Sequence, residues 1–324
     1  MNGAAHGYDQ EENGSVEDAC QPRQRPRMPA INPFAGRMGA NQGMVLDRSD
    51  PDNYETLKKV PDAAPLTCFR DQFDLRGFLD LDLWRFGLIE GIASMILVFS
   101  TVWLAALSPS AASPPHNSPT GVFSTTNFLA PLMGGIGNIL ILTLLIFSFS
   151  STSGSQINPM ITLATFFARL ISFPRMIIYI GCQTLGAALA GFVLTTAYGS
   201  RDFLTGGCVV NTELVPVKDA FVLEFMYCLM LIFISFGVGL DPRQAQIFGP
   251  ALSPWLVGLG LGVTSWGSAY TRVGYGGASM NPARCFGAYV ATEFSGYHWI
   301  HWVAPLAASI GHGIIYWIVP PWRS

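Results

Sequence analysis

The dipeptides Asn158-Pro159 and Asn281-Pro282 each open a short apolar stretch, about 158–171 and 281–292. Asn is a strong helix N-cap, and Pro at the first helical position gives up no hydrogen bond, so both stretches read as helices that begin abruptly. A helix start presents unpaired N–H groups and a partial positive charge. Two such ends meeting in a low-dielectric medium repel cations, hydronium included, and accept neutral molecules that carry lone pairs. The side chains of Asn158 and Asn281 add amide donors of their own. This chemistry selects and passes molecules; it makes no bonds.

Three charges stand in otherwise apolar runs, where a charge is expensive. Glu90 and Glu224 precede Asn158 and Asn281 by 68 and 57 residues (158 − 90 and 281 − 224). Their repeated placement suits carboxylates that hold the irregular backbone leading into each short helix. The rival reading is proton coupling through Glu90 and Glu224 in a secondary transporter, which would need a titratable site where the two Asn residues meet. Arg284 follows Asn281-Pro282-Ala283 and fits a hydrated passage, donating to solutes and repelling cations. Enzyme chemistry finds no support. The five histidines (His6, His116, His298, His301, His312) show no HExxH and no pairing with Ser, so neither catalytic residues nor a cofactor is expected. His298 and His301 flank Trp299 and Trp302 and read as interfacial anchors. The six cysteines show no CxxC, so neither a metal site nor a disulfide framework is expected.

The elements that must position these groups are membrane spans. A helix needs about 20 mainly apolar residues to cross the hydrocarbon core, and about 86–107, 129–150, 175–198, 218–240, 251–271 and 298–319 qualify. Trp84, Trp103, Trp255, Trp299, Trp302 and Trp317 fall near their ends, as interfacial rings should. The two Asn-Pro stretches are too short to span and read as re-entrant half-helices. Span, span, half-helix, span occurs twice, over about 84–198 and 217–320. Each repeat has an odd number of spans, so the second copy is inverted and the half-helices enter from opposite faces. The expected fold is an all-α membrane protein of six transmembrane helices and two half-helices.

Charge is confined to one end. Residues 1–85 hold 24 of the 39 charged side chains, and the net charge of −3 argues against a nucleic-acid partner. Residues 1–77 therefore read as a polar, mostly disordered arm with a docked stretch near Phe69–Phe78, and 78–324 as the membrane domain. Placing Arg70, Arg76, Arg85, Arg169, Arg175, Arg243 and Arg323 inside, against Arg201, Lys218 and Arg272 outside, orients both termini to the cytoplasm.

The runs Ser153-Gly154-Ser155-Gln156-Ile157-Asn158-Pro159-Met160 and Gly277-Ala278-Ser279-Met280-Asn281-Pro282-Ala283-Arg284-Cys285 resemble the two signature loops of the major intrinsic proteins, over about 84–320. Glu90 with Phe99 looks like that family's first-span signature. Gln156 stands where His is common; Met160 in place of Ala and Cys285 after Arg284 make the chain look most like the X intrinsic proteins of plants and fungi. The resemblance implies a passive channel for glycerol, urea or hydrogen peroxide, with water as a further solute or, alternatively, as the only one. It implies a homotetramer in lipid with one pore per subunit, most simply in the plasma membrane. Its outer constriction carries over to Arg284, Ala278 and, by ungapped counting, Asn138; the span-five position lies within Val263–Ala269. Asn138 and Ala278 widen such a filter, and Trp266 could narrow it. Gln156, Glu90 and Glu224 would support the pore loops. Cys208 would face outside, available for a cross-subunit disulfide or a metal contact near a tetramer axis, and Cys285 would be a mercurial target. Whether Met160 narrows the pore or packs behind Asn158 is left open.

Overall fold

The computed structural model describes residues 33–39, 45–107 and 125–319. Cys20, His6, His116, Arg323 and most of the loop expected at 108–128 lie outside them. Among the described residues, two short helices in the arm, α1 (Tyr54–Lys59) and α2 (Phe69–Gln72), precede the helical body. The body runs α3 (Leu81–Leu104), α4 (Thr125–Phe149), half-helix α5 (Pro159–Phe167), α6 (Phe173–Tyr198), α7 (Val217–Ser235), α8 (Pro242–Ser268), half-helix α9 (Pro282–Ala291) and α10 (Ile300–Ile318). A π-helical turn, Phe236–Leu240, extends α7, and Gly249 at φ 66° breaks α8 near its start.

Five of these helices are long and apolar enough to cross a membrane: α3, α6, α7 with its extension, 129–149 of α4 and 247–268 of α8. At 19 residues α10 has the length, about 28 Å, but His301, Ser309 and His312 lower its apolarity. All three are buried in the protein, so lipid does not meet them. Half-helices of 9 and 10 residues cover about 15 Å, half of a 30 Å core. Trp84, Trp103, Trp255, Trp299 and Trp317 are exposed near span ends, as expected.

The repeats pack as inverted equivalents: α3 lies against α6, α7 against α10, and α4 against α8 across the middle. Without a hydrophobic drive between helices in lipid, close backbone approach supplies the attraction. A Cβ added at Gly186 would stand 2.0 Å from the Gly91 carbonyl oxygen, and one at Gly262 2.5 Å from that of Gly135. On the side away from the arm, β1 (Ala106–Leu107) pairs antiparallel with β2 (Leu204–Thr205), drawing the loops together over the second half-helix.

The arm departs from expectation. Phe73 and Phe78 do dock, packing on Phe166 and Phe173, but order extends well beyond them. Phe34, Ala35, Arg37, Met38 and Asp62 are all at most 2% exposed, so these parts of the arm pack into the body. Polar contacts add to this apolar docking. Asp62 takes a 2.8 Å bond from Arg175 and a 2.9 Å bond from Ser172, while Gln72 donates to the Phe166 carbonyl at 2.7 Å.

Candidate functional site

Asn158 and Asn281 meet at the centre of the body. Each caps its own helix: Asn158 Oδ1 accepts from Met160 N at 2.9 Å, and Asn281 Oδ1 from Arg284 N at 3.2 Å. Each also reaches across. Asn158 Nδ2 donates to the Met280 carbonyl at 2.8 Å, and Asn281 Nδ2 to the Ile157 carbonyl at 3.3 Å. A side-chain amide has two N–H donors, so one remains on each Asn for whatever occupies the cavity that both residues line.

This tie requires an awkward backbone. Ile157 and Met280, immediately before each Asn, adopt left-handed φ values of 50° and 54°. That is an outlier for a side-chain-bearing residue, above all a β-branched one. The two buried glutamates hold it. Glu90 accepts from Ile157 N at 2.6 Å, Gln156 N at 3.1 Å, Ser153 Oγ at 2.6 Å and Gln183 Nε2 at 2.9 Å. Glu224 accepts from Met280 N at 2.8 Å, Ser279 N at 3.1 Å and Tyr275 Oη at 3.1 Å. Every described contact of these carboxylates is with the loop scaffold or its neighbours, and neither residue lines the cavity. His301, expected at an interface, is instead 2% exposed with Nδ1 3.8 Å from Glu224, too far for a hydrogen bond.

The cavity between the half-helices is narrow, about 40 Å³, and continues into a wider mouth of about 140 Å³ on the side away from the arm. Asn138, Ala278, Arg284, Thr101 and Ser265 line both, which puts the constriction at their junction. Of the window Val263–Ala269, Ser265 lines both spaces and Ala269 the mouth alone; the Ser265 hydroxyl accepts from Asn138 Nδ2 at 3.0 Å. Trp266 lines neither space and bonds through Nε1 to Tyr270 at 3.2 Å. Met160 is fully buried and also lines neither, so it packs behind Asn158, while its neighbour Ile161 faces the cavity. Pro159, Pro282 and Ala283 are buried in the same way at the half-helix starts.

Arg284 pairs with no carboxylate among the described residues. Carbonyls orient it instead: Nη2 donates to Gly206 at 2.9 Å and to Thr101 at 3.4 Å, and Nε donates to Thr101 Oγ1 at 3.3 Å. Gly207 adopts φ 84°, a conformation that disfavours a side chain, and a Cβ there would press on Arg284 Nη1 at 2.8 Å. Behind this loop Cys208 and Cys285 form a disulfide within the chain. The expectations of no disulfide, of a cross-subunit bridge at Cys208 and of a free thiol at Cys285 are therefore corrected. The β1–β2 pairing brings the 206–208 loop onto α9, a meeting that residues 77 apart in sequence do not announce. Gln156, which also lines the cavity, donates through Nε2 to Gly36 O at 2.8 Å and Thr165 Oγ1 at 3.0 Å.

Comparison with known proteins gives the same picture. The model of the family described as major intrinsic protein matches residues 78–316. The chain is 29% identical to a probable aquaporin TIP4-1 of Oryza sativa subsp. japonica over 69% of this chain and 84% of that protein. It is 27% identical to aquaporin TIP4-1 of Zea mays over 76% and 89%. Among solved structures, the aquaglyceroporin from Plasmodium falciparum superposes with a TM-score of 0.55 over 74% of this chain and 98% of that one, at 17% identity, a likeness of fold.

Proposed function

The chain belongs to the major intrinsic protein family of passive membrane channels for water or small solutes, and from that premise we propose that its pore admits solutes larger than water. Glycerol, urea and hydrogen peroxide are the solutes meant. The observation that carries this is the ring of Asn138, Ser265, Ala278 and Arg284, in which Arg284 is the only long side chain and Trp266 is turned away. Pore width and lining donors are the selectivity levers of such a channel. Asn138 and Ser265 offer hydroxyl-binding groups opposite Arg284, and a polyol needs donors and acceptors together.

In this reading Arg284 and the facing starts of α5 and α9 exclude cations and protons, and the spare amides of Asn158 and Asn281 orient the passing solute. Pro159, Met160, Pro282 and Ala283 shape the half-helix starts, and Glu90, Glu224 and Gln156 support the loops. Residues 78–324 form the channel domain and 1–77 a cytoplasmic arm. Four subunits assemble with one pore each, in the plasma membrane, with both termini inside. The Met160 and Cys285 variations of the two motifs support a place among the X intrinsic proteins.

Stopped-flow light scattering on proteoliposomes tests the solute range, under a sucrose and then a glycerol gradient. Both the natural chain and a Met38→Ala variant, altered at another cavity-lining residue, should be measured. Glycerol entry at least tenfold above protein-free vesicles supports the wide ring. Water flux without glycerol entry overturns it in favour of a water-selective pore.

A further inference from the structure

We propose that residues 33–39 are a built-in plug that closes the pore at the arm end, with Met38 as its tip; this rests on the pore assigned above. Met38 is 2% exposed and lines the same cavity as Asn158 and Asn281. It comes from the arm, yet it sits within the body's core: its Sδ lies 3.6 Å from where a Cβ on Gly239 would stand, at the end of the α7 extension. The far mouth has no such occupant among its described lining residues.

The segment is fixed by bonds to the first pore loop and its flanks. Met38 N donates to the Gly154 carbonyl at 2.8 Å, and Gly36 accepts from Gln156 Nε2 at 2.8 Å. Arg37 donates to the Ser150 carbonyl at 2.7 Å and the Ser151 carbonyl at 3.1 Å, the open end of α4. Phe34 is clamped between two guanidinium groups, 4.4 Å from Arg37 and 4.1 Å from Arg175. It also fills the space above Gly154, where a Cβ would meet its ring at 2.2 Å. Backbone joins this segment to the buried Asp62, whose carbonyl accepts from Ala35 N at 2.7 Å.

A flexible, unbranched thioether suits such a tip, since it fills an irregular gap without a fixed shape. The hydrogen bonds of the segment are few, and the apolar side chains withdrawn with it are three: Phe34, Ala35 and Met38. A plug of this kind can leave without unfolding the helices it rests on.

Two readouts test it on the full-length protein, each variant first being checked for a monodisperse peak on size exclusion. The first is water permeability per channel in proteoliposomes of the natural chain, Met38→Ala and Phe34→Ala. The tip variant removes the bulk and the anchor variant loosens the seat; if one misfolds, the other still decides. The second is the labelling rate of Ser235→Cys, in a Cys20→Ser, Cys68→Ser, Cys182→Ser background, by a positively charged methanethiosulfonate too large for the far constriction. Ser235 lines the cavity and is 1% exposed. At least threefold faster flux, and at least threefold faster labelling when Met38→Ala or Phe34→Ala is added, are expected. Unchanged flux together with unchanged labelling overturns the plug and leaves the channel assignment standing. Accelerated labelling with no water or glycerol flux in any preparation supports the plug and overturns the conducting role.

Discussion

The side-chain amide of Asn158 donates to the carbonyl of Met280 at 2.8 Å, so the first repeat's cap residue completes the second repeat's loop. The reciprocal bond runs from Asn281 to Ile157. Replacing Asn158 with Ala removes a helix cap and a cross-tie at once. A cap alone contributes about 0.5–2 kcal/mol, so a loss of about 1–3 kcal/mol is expected with the tie included. Unfolding of the purified variant in a denaturing detergent titration measures it, and an unshifted midpoint would deny the tie any structural weight.

Glu90 and Glu224 each receive several donors from the loop scaffold. Flux should therefore be indifferent to an imposed proton gradient, changing less than about twofold between inside-acid and inside-alkaline vesicles. A larger, direction-dependent change would restore the transporter reading. Glu90→Ala strands buried donors, each at about 1–3 kcal/mol, so loss of the folded protein is the expected result of that variant.

Ser265 and Asn138 face the solute path as a bonded pair. Ser265→Phe puts a ring into the constriction. Glycerol permeability should drop at least tenfold while water permeability changes much less, in a background where Met38 is Ala. Equal loss of both solutes would mean that the ring blocks the pore outright, and no loss would place the constriction elsewhere.

Asp62 latches the arm and lies outside the spans. Burial opposes its charged form, but the Arg175 guanidinium and the bonds from Ser172 outweigh that and hold its carboxyl below the ordinary 3.8. The folded value lies below the unfolded one, so the latch contributes fully above about pH 4 and fails as pH falls through the folded value. Asp62→Asn leaves the buried Arg175 without its partner at any pH, a loss of about 3–5 kcal/mol for a pair of this kind. Anisotropy of a dye on the exposed Cys68, in a Cys20→Ser, Cys182→Ser background, should fall on acidification below pH 4, and should start low in the variant. An acid transition that persists unchanged in Asp62→Asn would assign the latch to another group.

The disulfide makes a simple chemical prediction. Cys208→Ser should free Cys285 for alkylation under denaturing, non-reducing conditions and lower stability by about 2–4 kcal/mol. The Gly206 carbonyl would then hold Arg284 less firmly. An unchanged count of reactive thiols would contradict the bond.

The spans, the inverted repeat and the two half-helices were legible because lipid permits few solutions: about 20 apolar residues to cross, and Asn-Pro to start a helix in mid-membrane. Asn138 was reached by counting along an uninterrupted stretch, and it lines the cavity. Ser265 was not, because one residue turns a helix face by about 100°, and the long connection before Asn281 left that phase free. Ser265 faces the path and Trp266 beside it faces away. The disulfide joins residues 77 apart, a meeting made by two loops and a short strand pair. The docked arm was hidden by its composition. It attaches through Arg37, Gln72 and Asp62 to carbonyls and one guanidinium, so it carries no periodic apolar face for a reader to find. His301 misled for a related reason: its sequence neighbours are surface tryptophans, while its own position on α10 points it at Glu224.

Residues 33–39 are translated before any span, yet their seat draws on both repeats: Ser150 and Gly154 from the first, the turn at Gly239 from the second. The seat of Met38 is therefore incomplete until the α7 extension has been made. A segment that precedes the helices in the chain completes its seat only once the turn at Gly239 exists, so each new copy passes through an interval in which its helices can be assembled and the arm end of the cavity still uncovered.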